Sequence, residues 1–180
     1  MTDTGIEIKQ LEPKHEVPKE EFLHTLKPED RDNISQLIKG FEAAMTDRDL
    51  NGALMVVGGI MNKLQPRKDI DILLIRQRRE KDPQKLPFET QLDWATMDFR
   101  RFSNIVTSIT VSANLRISSR IEPSIDEEFE NPNILKSDGT ITLISNSGRG
   151  LPMELIRDTT GNVEQQISKQ KGRFCVIAEV

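Results

Sequence analysis

The clearest hydrophobic pattern in the chain lies between Ala53 and Ile75. Apolar residues fill Ala53 to Val57, stop at Gly58-Gly59, and return from Ile70 to Ile75, where Asp69 and Asp71 alternate with Ile70 and Ile72. Successive side chains of a strand point to opposite faces, so the two carboxylates share one face and the two isoleucines the other. The pattern predicts strands over 53–57 and 70–75 joined through a glycine turn, with about one turn of helix over Ile60 to Leu64 beginning at the glycines. Upstream, Pro28-Glu29-Asp30 reads as a helix start. Ile34, Leu37, Ile38, Phe41, Ala44 and Met45 follow at helical spacing to about Asp49, and Asn51-Gly52 ends the element. Downstream, Leu92, Ala95, Thr96, Phe99, Phe102, Ile105, Val106 and Ile109 trace one face of a long helix over Glu89 to Arg116. Trp94 and Phe102 read there as core residues.

After Arg116 the period shortens. Strands are predicted over Ile117 to Ile121, Thr140 to Ser145, Leu151 to Asp158 and Arg173 to Val180. Asn146-Ser147-Gly148-Arg149-Gly150 forms a hairpin loop, Asn162 to Gln170 a short helix, and the acidic stretch Pro123 to Pro132 a loop. Residues 1–27 are polar, carry Pro13 and Pro18, and read as an arm that docks a short strand or turn. Residues 28–180 read as one domain.

Composition narrows the classes of function. With 36% hydrophobic residues among 180, the chain supports one modest core. A net charge of −4 argues against a generally basic nucleic-acid binder and leaves room only for a local basic face, for which Arg76-Gln77-Arg78-Arg79-Glu80-Lys81 is the candidate, with a solvated loop as the plainer reading. Cys175 is the single cysteine, which excludes an internal disulfide and a cysteine-rich zinc site. No apolar stretch approaches membrane-spanning length, and the N-terminus lacks an apolar leader core, so the expectation is a cytoplasmic protein without a membrane partner. Both histidines, His15 and His24, fall in the polar N-terminal section, which leaves Ser-His-Asp and Cys-His mechanisms without a base. Any chemistry therefore falls to carboxylates, lysines or a metal.

Two carboxylates side by side repel each other unless a positive charge lies between them. Mg²⁺, or Mn²⁺, takes oxygen ligands and leaves room for phosphate oxygens. Gly58 and Gly59 lack Cβ atoms and allow backbone N–H groups to approach an anion. Lys63, Arg67 and Lys68 lie within reach of the same anion, with solvated loop charge as the alternative. Spacing alone is not diagnostic: Asp30-Arg31-Asp32 and Asp47-Arg48-Asp49 share it, but in polar surroundings near helix ends. Only Asp69-Ile70-Asp71 is embedded in an apolar run, where a charged pair costs desolvation energy.

Val57-Gly58-Gly59 followed by Arg67-Lys68-Asp69-Ile70-Asp71-Ile72 resembles the signature of the DNA polymerase β-like nucleotidyltransferase superfamily. The resemblance covers the central part of the chain and departs at Ile60, where many members carry a serine whose hydroxyl faces the phosphates. It implies an α/β (α+β) fold, a mixed β-sheet flanked by helices. It also implies a third acid on a later strand, best matched by Glu154 in Leu151-Pro152-Met153-Glu154-Leu155-Ile156, with Asp158 in reserve and a surface-facing glutamate as the alternative. The implied chemistry is two-metal phosphoryl transfer, with Asp69 and Asp71 holding the ions, Glu154 helping to hold the catalytic metal or taking the acceptor proton, and the glycines positioning the triphosphate. The implied function is transfer of a nucleoside monophosphate from an NTP to an acceptor hydroxyl on a small molecule, protein or RNA. The alternatives are a catalytically inactive nucleotide-binding or protein-interaction module, such as a toxin-antitoxin component, and a structural module in which Asp69 and Asp71 pair with Arg67 and Lys68.

Overall fold

A computed structural model of the chain describes residues 15–61, 68–79, 88–124 and 139–180. Lys63, Arg67, Glu80, Lys81, the acidic stretch from 125 onward, residues 1–14 and the side chains of 88–96, Trp94 among them, lie outside the described residues. The architecture is α+β: among the described residues, one six-stranded mixed sheet with four α-helices. The helices are α1 (Lys19–Thr25), α2 (Pro28–Thr46), α3 (Phe88–Ser112) and α4 (Val163–Lys169). The strands are β1 (Gly52–Val57), β2 (Ile70–Arg76), β3 (Leu115–Ile121), β4 (Thr140–Ser145), β5 (Met153–Arg157) and β6 (Cys175–Glu179). Their order across the sheet is β3-β4-β5-β2-β1-β6, antiparallel throughout except for the central pair β2 and β5, which run parallel.

The alternation in β2 decides how the sheet is used. Ile70, Ile72 and Leu74 join the larger core with Leu54 and Val56 of β1, Leu155 of β5, and the apolar faces of α2 and α3, including Leu37, Phe41, Phe102 and Ile109. Leu73 and Ile75 turn to the other side and meet Met55, Val163 and Ile167, so α4 covers part of that second face. Asp69 and Asp71 are on the face of Leu73 and Ile75. Helix α4 is started by Asn162, whose side chain accepts from Gln165 N at 2.9 Å, the usual device for satisfying a first-turn amide.

Three elements differ from expectation. Helix α3 ends at Ser112 rather than Arg116. Leu115 is already strand, because it pairs with Ser145 and drops into the core. The arm contains the short helix α1, which buries Phe22 in the main core, and its entry is pinned by a single parallel bridge between Glu16 and Phe174. The turn after the glycines is a 3-10 turn, Gly58–Met61, and it is anchored because Ile60 and Met61 are themselves core residues.

Candidate functional site

The pairing of β2 with β5 is parallel and in register, with Asp71 beside Glu154. On its other side Asp71 faces Val57 of β1, and Glu154 faces Thr142 of β4, giving a row Val57-Asp71-Glu154-Thr142 across four strands. Neighbouring strands are about 4.8 Å apart, so the two carboxylate-bearing residues are one strand spacing from each other, and Asp69 lies about 7 Å along the strand on the same face. All three are half-buried.

Their electrostatics follow from that crowding. The Asp71 carboxyl is pushed above its ordinary value, first by burial and then by the negative charge of Asp69. Glu154 is pushed up as well, first by burial, then by Asp69 and Asp71. Mutual repulsion of this kind is what a hard cation relieves, and an all-carboxylate donor set suits Mg²⁺ or Mn²⁺ better than a softer metal. Among the described residues no three His, Cys, Asp or Glu side chains are already drawn together as a cation cage. What the strands supply is adjacent backbone positions on one face, from which the side chains have still to converge.

Gly58 closes this site from above. Its φ is +75°, and a Cβ built there would be 2.3 Å from Asp71 Oδ2. Only a residue without a side chain lets the β1 end turn over the carboxylate. At Gly59 a Cβ would meet nothing within 4 Å among the described residues, so none of them closes the corner on that side. Lys68 is exposed next to Asp69.

Asp158 is employed elsewhere. Its carboxylate accepts from Thr160 Oγ1 at 3.0 and 2.8 Å and from Gly161 N at 2.7 Å, closing its own turn beyond the far end of β5. The structure thus brings Glu154, and not Asp158, to the Asp71 pair. Cys175 is buried and its thiol is pushed up to about 11, by burial first and by Glu16 second, which removes it as a nucleophile near neutral pH.

Two residues that hold this strand were not singled out by sequence. Asp30 is buried in the first turn of α2 and accepts from Leu151 N at 2.7 Å, while Asn33 donates through Nδ2 to Arg149 O at 2.9 Å. Together they clamp the segment leading into β5 and so fix where Glu154 begins its strand. Asp30 looked like an ordinary helix-start acid because its partner is far away in sequence. Among known proteins, no family model matches the chain and no curated protein matches it significantly.

Proposed function

We propose that the chain is a metal-dependent nucleotidyltransferase that moves a nucleoside monophosphate from an NTP to an acceptor hydroxyl. The observation that supports this most is the in-register pairing of Asp71 with Glu154 beneath Gly58, in a chain whose sequence carries the Gly-Gly and Asp-x-Asp pattern. Mg²⁺ or Mn²⁺, when bound, would neutralise the triphosphate and raise the acidity of the acceptor hydroxyl. Asp69 and Asp71 are the residues that would hold it. Glu154, whose proton affinity is raised first by burial and then by Asp69 and Asp71, suits the task of accepting the hydroxyl proton. None of the described residues fills the space beside Gly59, where a polyphosphate would approach backbone amides.

A second reading, a catalytically silent nucleotide-binding or protein-interaction module, is favoured by Ile60. At the position where the resembled family often carries a serine, this side chain is buried in the core and offers no hydroxyl. Calorimetric titration with each of the common NTPs, with and without Mg²⁺, followed by transfer of label from an α-labelled nucleotide, separates the two. The enzyme reading expects Mg²⁺-dependent binding that is lost in Asp71→Asn, and label transfer that is lost in Glu154→Gln while binding survives. Binding without transfer selects the silent module. No Mg²⁺-dependent binding to any nucleotide overturns the nucleotide-holding reading altogether.

A further inference from the structure

A hollow of about 480 Å³ opens where α2 passes the loop between β4 and β5. One wall is a stripe of α2: Glu29, Asp32, Gln36 and Lys39 are spaced three, four and three residues apart and so share one helix face. The other wall carries Ser147 and Arg149 of the loop, and Asn114 closes the hollow just ahead of β3. Every described residue lining it is polar. Most small-molecule pockets are lined chiefly by apolar side chains, so this one suits a ligand recognised by charge and hydrogen bonds.

The walls are fixed while their charges are uncommitted. Asn33 donates through Nδ2 to Arg149 O at 2.9 Å and ties the loop to the helix. The Ser147 hydroxyl is 2.9 Å from that of Ser145, and Asn114 Oδ1 accepts from Asn146 Nδ2 at 2.9 Å. By contrast, the side chains of Glu29, Asp32, Lys39 and Arg149 are exposed and enter no ion pair or hydrogen bond among the described residues. Two are negative and two positive, so the hollow is neutral in sum but polarised, with both acids in the first turns of α2 and Lys39 further along. A polyphosphate chain would meet Glu29 and Asp32, and a polycation would meet Lys39 and Arg149. A nucleobase would find no aromatic ring to stack on among the described lining residues, and an uncharged sugar would leave all four charges unused. A dipolar ligand uses both signs.

We propose that this hollow binds a short zwitterionic peptide, its ammonium against Glu29 and Asp32 and its carboxylate against Lys39, with Arg149 on the facing wall as the second cation. Asp32 and Lys39 are seven residues apart on one helix, about 10.5 Å along its axis. Three extended residues span about 10 Å, so a tripeptide bridges the two charges and a single amino acid does not. Gln36, between them on the same face, offers both donors and an acceptor to the backbone of the peptide. The inference stands whether or not the chain transfers nucleotides.

The test titrates the full chain calorimetrically, with a metal chelator present, against triglycine and triserine at millimolar concentration, their N-acetylated and C-amidated forms, and free glycine and serine. Binding is expected for at least one tripeptide, and at least about tenfold weaker for its two blocked forms and for the free amino acid, each of which loses a charge-assisted contact. The double variants Glu29→Gln, Asp32→Asn and Lys39→Gln, Arg149→Gln should each weaken the free tripeptide at least about tenfold. Blocks and side chains should also pair off: the N-acetylated form binds the first double variant as it binds the parent, and the amidated form does the same with the second. All four side chains are exposed, so both double variants are expected to melt near the parent. The proposal is overturned if neither tripeptide binds, if the blocked forms or free amino acids bind as tightly as the tripeptides, or if either double variant binds them like the parent.

Discussion

The two adjacent glycines provide a sharp test of the site, because they should respond to the same substitution in opposite ways. In Gly58→Ala the new Cβ must occupy a left-handed backbone position, which costs a residue with a side chain about 1–2 kcal/mol. It must also displace the Asp71 carboxylate, whose Oδ2 is 2.3 Å from the Cβ position. That carboxylate is the end of a half-buried, flexible side chain, so it swings aside at little further cost in stability. The loss is therefore about 1–2 kcal/mol, each kcal/mol lowering the melting temperature by about 2–4 °C in a chain of this length. In Gly59→Ala the Cβ meets nothing within 4 Å among the described residues and no left-handed φ is involved, so the variant should remain within about 0.5 kcal/mol of the parent. Thermal denaturation followed by circular dichroism gives the stability difference. Mg²⁺-dependent NTP titration at low temperature, where both variants are folded, gives the functional one: Gly58→Ala is expected to lose binding because Asp71 has moved, and Gly59→Ala to keep it. Equal melting temperatures for the two variants would refute the account of the glycine corner.

Because the Asp71 and Glu154 carboxyls are raised above their ordinary values of 3.8 and 4.5, the folded chain holds protons that the unfolded chain releases. Stability in the absence of metal should therefore fall as pH rises from those values through the raised ones, and Asp71→Asn or Glu154→Gln should flatten the fall in urea midpoints and raise stability at neutral pH. Asp30→Ala leaves the Leu151 amide without its acceptor and should cost about 1–3 kcal/mol by urea denaturation, whereas Asp30→Asn, which keeps an oxygen there, should cost much less. Asp98→Ala removes the carboxylate shared by Arg76 and the buried Arg157 and should cost about 3–5 kcal/mol in the same assay.

Most local elements were legible because their determinants are local. The alternation in 70–75, the apolar stripe of α2 and the loop between β4 and β5 all depend on residues within a few positions of one another. The short helix α1 escaped because its one buried side chain, Phe22, is too little to set a period, and the end of α3 was overrun because Leu115 and Arg116 continue a helical pattern until sheet pairing claims them. Long-range placement was legible only through the family resemblance, which pointed to Glu154, and not from local pattern. Nothing near Glu154 in sequence says that its strand will lie beside Asp71, and nothing near Asp158 says that Thr160 and Gly161 will occupy its carboxylate. Of the four arginines that line one hollow at the end of β2, Arg48, Arg76, Arg79 and Arg101, only Arg76 and Arg79 were visible together, in the basic run after β2; Arg48 and Arg101 arrive through the packing of α2 against α3.

The parallel pairing of β2 with β5 carries a consequence for how the chain matures. Parallel neighbours need a long crossover, and here residues 77–152, with α3, β3 and β4 among them, intervene before β5 can add itself to the sheet. A nascent chain emerging from the ribosome exposes Asp69 and Asp71 well before Glu154 is even synthesised. The row of acids is therefore completed late, by closure of the whole sheet, and a prematurely terminated product would carry the first two acids without the third.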